Sequence, residues 1–161
     1  MRGLTMLLLL VAMPAFPGPP GEDRFLGTWQ LDPAACQFES GAVPESMLIV
    51  MQPADDGVHY RSVTTLKGGG TATADYTAAY DGRPVLVEST AGVMLPIALT
   101  RLDDSTVVAR YMRAFGLVAQ SRRVLDVTGR VMTITTTGET TGQVFTNVAI
   151  YRRVEADKPV G

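Results

Sequence analysis

With one cysteine, Cys36, in 161 residues, the chain cannot form an internal disulfide. Cys36 is either a small apolar residue buried near a loop or a thiol that pairs with another chain. Histidine is equally scarce: His59 stands alone, so a His/Cys zinc or copper site cannot be assembled within one chain. A histidine-activated nucleophile would have to use His59, and no Gly-x-Ser-x-Gly elbow is present to partner it. We expect His59 to face solvent from a strand. The acidic pairs Asp55-Asp56 and Asp103-Asp104 lack the ligand spacing of a calcium loop and read as hairpin turns. Gly68-Gly69-Gly70 leads into a strand, not a helix, which makes it a hairpin tip and not a phosphate loop. No catalytic motif, metal site or cofactor site is therefore expected.

Excess charge is missing too. Fourteen Lys+Arg stand against sixteen Asp+Glu, which offers no electrostatic basis for binding nucleic acid or an anionic membrane surface. Residues 4–13 are apolar apart from Thr5, but that run is far short of the roughly 20 residues a helix needs to span a bilayer. Preceded by Arg2 and followed by a Pro/Gly-rich stretch over residues 14–21, it has the order of a secretory signal peptide. We expect residues 1–21 to be this signal, with cleavage between Ala15 and Gly21. Residues 22–161 then form one domain, exported to a periplasmic or extracellular location.

No stretch of ten or more residues carries a helical apolar period. Short runs rich in Val, Ile, Thr and Tyr instead alternate with turn residues, which predicts ten strands over 26–31, 47–52, 58–66, 71–80, 83–87, 93–101, 106–112, 117–127, 130–137 and 144–154. Asp56-Gly57, Asp81-Gly82 and Thr128-Gly129 supply the reversals between them. Consecutive hairpins without crossovers favour an all-β, antiparallel up-and-down β-barrel of about eight to ten strands, with a Greek-key sandwich as the alternative.

On the strand over 71–80, Ala72, Ala74, Tyr76, Ala78 and Tyr80 share one face. Three alanines beside two tyrosines leave room on that face, either for a cavity or for methionines from facing strands. Arg61, Arg110, Arg122, Arg123, Arg152 and Arg153 also fall inside strands. We expect them to point outward, with their stems covering the barrel wall.

Phe25-Leu26-Gly27-Thr28-Trp29 resembles the opening of the calycin superfamily, the lipocalins and fatty-acid-binding proteins. In that superfamily a Gly-x-Trp on the first strand closes one barrel end. The wider layout looks similar to a group of exported bacterial lipocalin-like proteins of unknown function. The likeness is carried by Gly27 to Trp29, the Pro33 to Pro44 loop, Tyr80-Asp81-Gly82, Met132 to Gly138 and Asn147 to Tyr151. Tyr151 matches the tyrosine of the Arg-x-Tyr carboxylate clamp of fatty-acid-binding proteins, but Ala149 occupies the arginine position. Val144, Val148, Ile150 and Val154 make the more apolar face of the last strand, which predicts that Tyr151 points outward.

The function expected from this layout is a non-enzymatic barrel that binds a small, largely apolar molecule, lined by Trp29, Tyr60, Tyr76, Tyr80 and Tyr111. The alternative is a protein-interaction module, an exported inhibitor or envelope factor, that grips a protein partner with its loops or with a proline-rich arm over residues 16–23. Deleting the arm while keeping the barrel intact separates the two: small-molecule binding should survive in a binding assay, and capture of a protein partner should be lost.

Overall fold

The β-branched and aromatic runs extend as anticipated. The computed structural model describes residues 22–91, 95–113 and 116–155, so the expected signal segment lies outside the described residues. In chain order the strands are β1 (Gly27–Leu31), β2 (Gln37–Phe38), β3 (Ser46–Ala54), β4 (Gly57–Thr65), β5 (Thr71–Ala79) and β6 (Asp81–Val85). They continue with β7 (Glu88–Ser89), β8 (Ile97–Asp103), β9 (Thr106–Arg113), β10 (Gly116–Leu125), β11 (Val131–Thr140) and β12 (Gln143–Val154). A single 3₁₀ turn, Pro33–Ala35, separates β1 from β2. Among the described residues no helix is long and apolar enough to cross a membrane.

All twelve strands belong to one curled antiparallel sheet with the order β6-β8-β9-β10-β11-β12-β1-β3-β4-β5-β7. The first long strand pairs with the last, Trp29 opposite Arg153, which brings the two ends of the meander together. β2 adds to the same edge of β12, Phe38 opposite Asn147. The expected hairpin order holds over β3–β5 and β8–β12, but β6 pairs with β8 and β7 with β5, so Asp81-Gly82 lies within β6 and makes no hairpin. Among the described residues hydrogen bonding does not run all the way round. β6 and β7 are the two edges, and the break falls between β5 and β8. Pro84 lies in β6, and the β6–β8 register shifts between Asp81 and Pro84, both of which interrupt a ladder.

Side chains bridge this seam at one end. Asp23 accepts a hydrogen bond from Tyr80 Oη at 2.7 Å and pairs with Arg101 Nη2 at 2.7 Å. The Arg101 guanidinium lies 4.1 Å above the Tyr80 ring. Asp23, the last residue of the proposed arm, is thus part of the barrel.

The same end is shut by Trp29 and Phe25, both buried. Trp29 Nε1 donates to the Phe25 carbonyl at 2.9 Å, and the Arg153 guanidinium lies 4.2 Å over the indole. Arg153 also donates to the carbonyls of Arg24, Leu26 and Gly129. Gly27 makes this clasp possible: it has φ +120°, and a Cβ there would sit 2.6 Å from Arg153 Nη1.

Two expectations about side-chain direction are overturned. Tyr151 faces inward, 4% exposed, while Val144 on the opposite face is 77% exposed. The inner face of β12 carries Phe145, Asn147 and Ala149 next to a cavity, so relative hydrophobicity misidentified the inside. Arg123 is also inward and buried, and Arg153 turns over the Trp29 indole at the closed end, whereas Arg61, Arg110, Arg122 and Arg152 are exposed. The triple glycine forms the β4–β5 tip, and His59 lies on the sheet's outer face, paired with Asp75 at 2.8 Å.

At the β10–β11 turn Asp126 accepts hydrogen bonds from Arg130 N, Val131 N and Thr128 Oγ1. These bonds, that from Thr128 foremost, hold its carboxyl down to about 2. A depressed carboxylate stabilises the fold above its ordinary pKa of about 3.9 and loses that contribution as pH falls through the folded value. Asp126→Ala should therefore lower the thermal midpoint at neutral pH. The gap to the parent should close between about pH 4 and pH 2, as followed by circular dichroism melts.

Candidate ligand-binding cavity

On the inner face the strand registers stack side chains in rungs. Ala119, Gly138 and Phe145 form one rung, and Ser121, Thr136, Asn147 and Phe38 form the next. Arg123, Ile134 and Ala149 follow, then Leu125, Met132 and Tyr151. The lowest rungs are packed solid against Trp29 and Phe25. Above them lies a cavity of about 320 Å³ whose lining includes Phe38, Met47, Ile49, Tyr60, Tyr111, Arg123, Ile134, Phe145 and Tyr151. Phe38 and Phe145 are half-buried while Tyr60, Arg123 and Tyr151 are buried. The phenylalanines therefore mark the solvent side and the arginine marks the deep side.

Arg123 sets the electrostatics of this space. Its side chain is 4% exposed, and none of the ion pairs among the described residues includes it. Tyr76 Oη accepts from its Nη2 at 3.0 Å, its guanidinium lies 5.3 Å from the Tyr60 ring centre, and its Nε has no hydrogen-bond partner among the described residues. The cavity lining contains no Asp or Glu. Burial opposes the guanidinium charge, but the phenols of Tyr76, Tyr111 and Tyr60 more than offset it, leaving the pKa above the ordinary arginine value. The result is a charged, desolvated donor facing apolar walls, a strong site for an anionic group.

The tyrosines form its shell. Tyr60 and Tyr76 stack with ring centres 4.7 Å apart, directly opposite each other on β4 and β5. Tyr111 Oη accepts from Ser121 Oγ, which also bonds Thr136 Oγ1 at 2.9 Å. Tyr151 Oη lies 3.1 Å from Met47 Sδ. Ala74 and Ala78, on the same face of β5 as Tyr76, are buried.

Of the five residues named from sequence, Tyr60 and Tyr111 line the cavity, and Tyr76 stands behind Tyr60 as the partner of Arg123. Trp29 belongs to the closed end and Tyr80 to the seam, both outside the cavity lining. Arg123 itself was missed. Its signal is the dipeptide Arg122-Arg123: consecutive residues of a strand point to opposite faces, so in a curled sheet one of the two must face inward. Among the described residues no group of three His, Cys, Asp or Glu side chains could hold a metal ion.

No protein-family model and no curated protein sequence matches the chain. Among solved structures it is similar to zebrafish ileal bile acid-binding protein, which was crystallised in complex with cholic acid. The likeness has a TM-score of 0.53 at 11% identity and covers 81% of this chain and 99% of that one. At that identity the likeness is one of fold: a curled antiparallel sheet of the fatty-acid-binding-protein and lipocalin kind.

Burial raises the pKa of Tyr60, Tyr76, Tyr80 and Tyr151. A raised phenol stabilises the fold below its ordinary pKa of about 10 and loses that contribution as pH climbs through the folded value. Tyrosinate absorbance should show these four phenols silent in the native protein above pH 10 and ionising together with alkaline unfolding. In urea they should titrate near 10.

Proposed function

We propose that the chain is an exported, non-enzymatic binding barrel whose cavity takes a small, largely apolar molecule by an anionic group held on Arg123. The observation that carries this is the buried guanidinium with, among the described residues, an unpartnered Nε and no carboxylate in the cavity lining. A charge left this way is costly unless a ligand completes it. A carboxylate, sulfonate or phosphate would complete it and would accept the free N–H groups in the fork geometry that suits arginine. Met47, Ile49, Ile134 and the rings of Tyr60 and Tyr111 supply the apolar walls for the rest of the molecule. Export is supported by the Arg2, apolar-run and Pro/Gly order of residues 1–21.

Arg123→Met discriminates a binding charge from a structural one. Replacing a buried charge by an apolar residue of similar volume is often neutral or stabilising. The variant should therefore keep the parent's stability to within about 1 kcal/mol and lose roughly 10- to 100-fold in affinity for 1-naphthoate, as measured by calorimetry. Native mass spectrometry of protein purified from its own host should show an acidic small molecule that is absent from the variant. Unchanged naphthoate binding, together with a large loss of stability, would make Arg123 a structural residue and sink the proposal. N-terminal sequencing of the same material should begin within residues 16–22, and a chain that still starts at Met1 would refute export.

A further inference from the structure

We infer, building on the anion-binding role proposed for Arg123, that the cavity is cut to a compact, ring-sized acid and excludes long-chain acids, and that Phe145 seated on Gly138 sets this limit. At protein packing density a cavity of about 320 Å³ is filled by roughly fifteen non-hydrogen atoms, fewer than palmitate contains.

The strand registers give a second, independent measure. Ala149 shares the rung of Arg123, through Ile134, and Phe145 lies four residues up β12. At the rise of a strand this separates the two levels by roughly 13 Å, shorter than an extended palmitate.

Gly138 explains how the ring of Phe145 comes to lie there. Its backbone φ is not in the left-handed region, so the chain path does not require glycine. A Cβ on Gly138 would instead stand 2.8 Å from Phe145 Cζ and 3.1 Å from Ala119 Cβ. The absent side chain makes the space that the ring occupies, on the inner face at the mouth of the cavity.

The neighbouring stretch of the rim is equally fixed. Phe38 sits on β2, and the residues after it are tied to β12: Glu39 N and Ser40 N donate to Asn147 Oδ1, and Asn147 Nδ2 donates to Ser40 O. Two neighbouring aromatic side chains thus line one stretch of the entrance, and between them and Arg123 the lining favours a flat ring with one acidic group.

The test measures 1-naphthoate and palmitate on the full chain, on Phe145→Ala and on Arg123→Met. The parent should bind naphthoate at least about ten-fold more tightly than palmitate. Phe145→Ala should shift the palmitate-to-naphthoate affinity ratio toward palmitate by about ten-fold, the effect of burying roughly two further methylenes. If Phe145→Ala does not fold, Phe145→Leu should show the same shift in smaller measure. Palmitate binding to the parent as tightly as naphthoate, with both lost in Arg123→Met, would overturn the size limit and leave the anion site standing. A parent that rejects palmitate and variants that still reject it would remove Phe145 from the role. Failure of both acids to bind any form would overturn the anion site and this inference with it.

Discussion

A guanidinium buried without a carboxylate is the constraint around which this interior is arranged. Arg123 is not readily neutralised by deprotonation and is almost wholly withdrawn from solvent, so the surrounding strands must lower its cost by other means. Two stacked tyrosines do part of this, one through its ring face and one through its oxygen. A small open space beside it does the rest, since a charge packed tightly among aliphatic side chains would carry a larger desolvation penalty. The alanines of β5 belong to the same arrangement. Larger side chains there would compete with Tyr60 and Tyr76 for the room their stacking needs.

The closed end has a different construction. There Arg153 and Arg101 are also drawn over aromatic rings, but each has acceptors: backbone carbonyls for Arg153, and Asp23 for Arg101. Three arginines thus lie over aromatic rings, and the two at the closed end are satisfied by the protein itself. That contrast separates arginines completed by the protein itself from one that is not, within one fold. It also explains why the seam between β5 and β8 can lack a continuous hydrogen-bond ladder. Asp23, Tyr80 and Arg101 bridge it with charge-assisted bonds at the end where the core is tightest.

Much of this architecture was legible in the chain. The turn dipeptides and the period-two runs placed the strands, and Gly27-Thr28-Trp29 marked the closed end. The alternation along 71–80 identified its buried face, with Ala74, Tyr76 and Ala78 inside. The alternation along the last strand misled, because a cavity wall can carry polar residues such as Asn147 while part of the outer surface carries apolar ones. Val144 is exposed and Asn147 lies inside. Tyr80 and Trp29 were grouped with the other aromatics by type, but residue type does not record the height of a residue along the barrel.

The sequence by itself determined the class of the protein: an antiparallel meander with no internal disulfide, no His/Cys metal set within one chain and no recognisable catalytic motif, because local periodicity and composition govern those properties. Only the tertiary structure decided which arginine turns inward, which tyrosines meet it and how far the open space extends. Those depend on the register between strands distant in sequence. A shift of one residue in that register would exchange Arg123 for Arg122 and the inside for the outside.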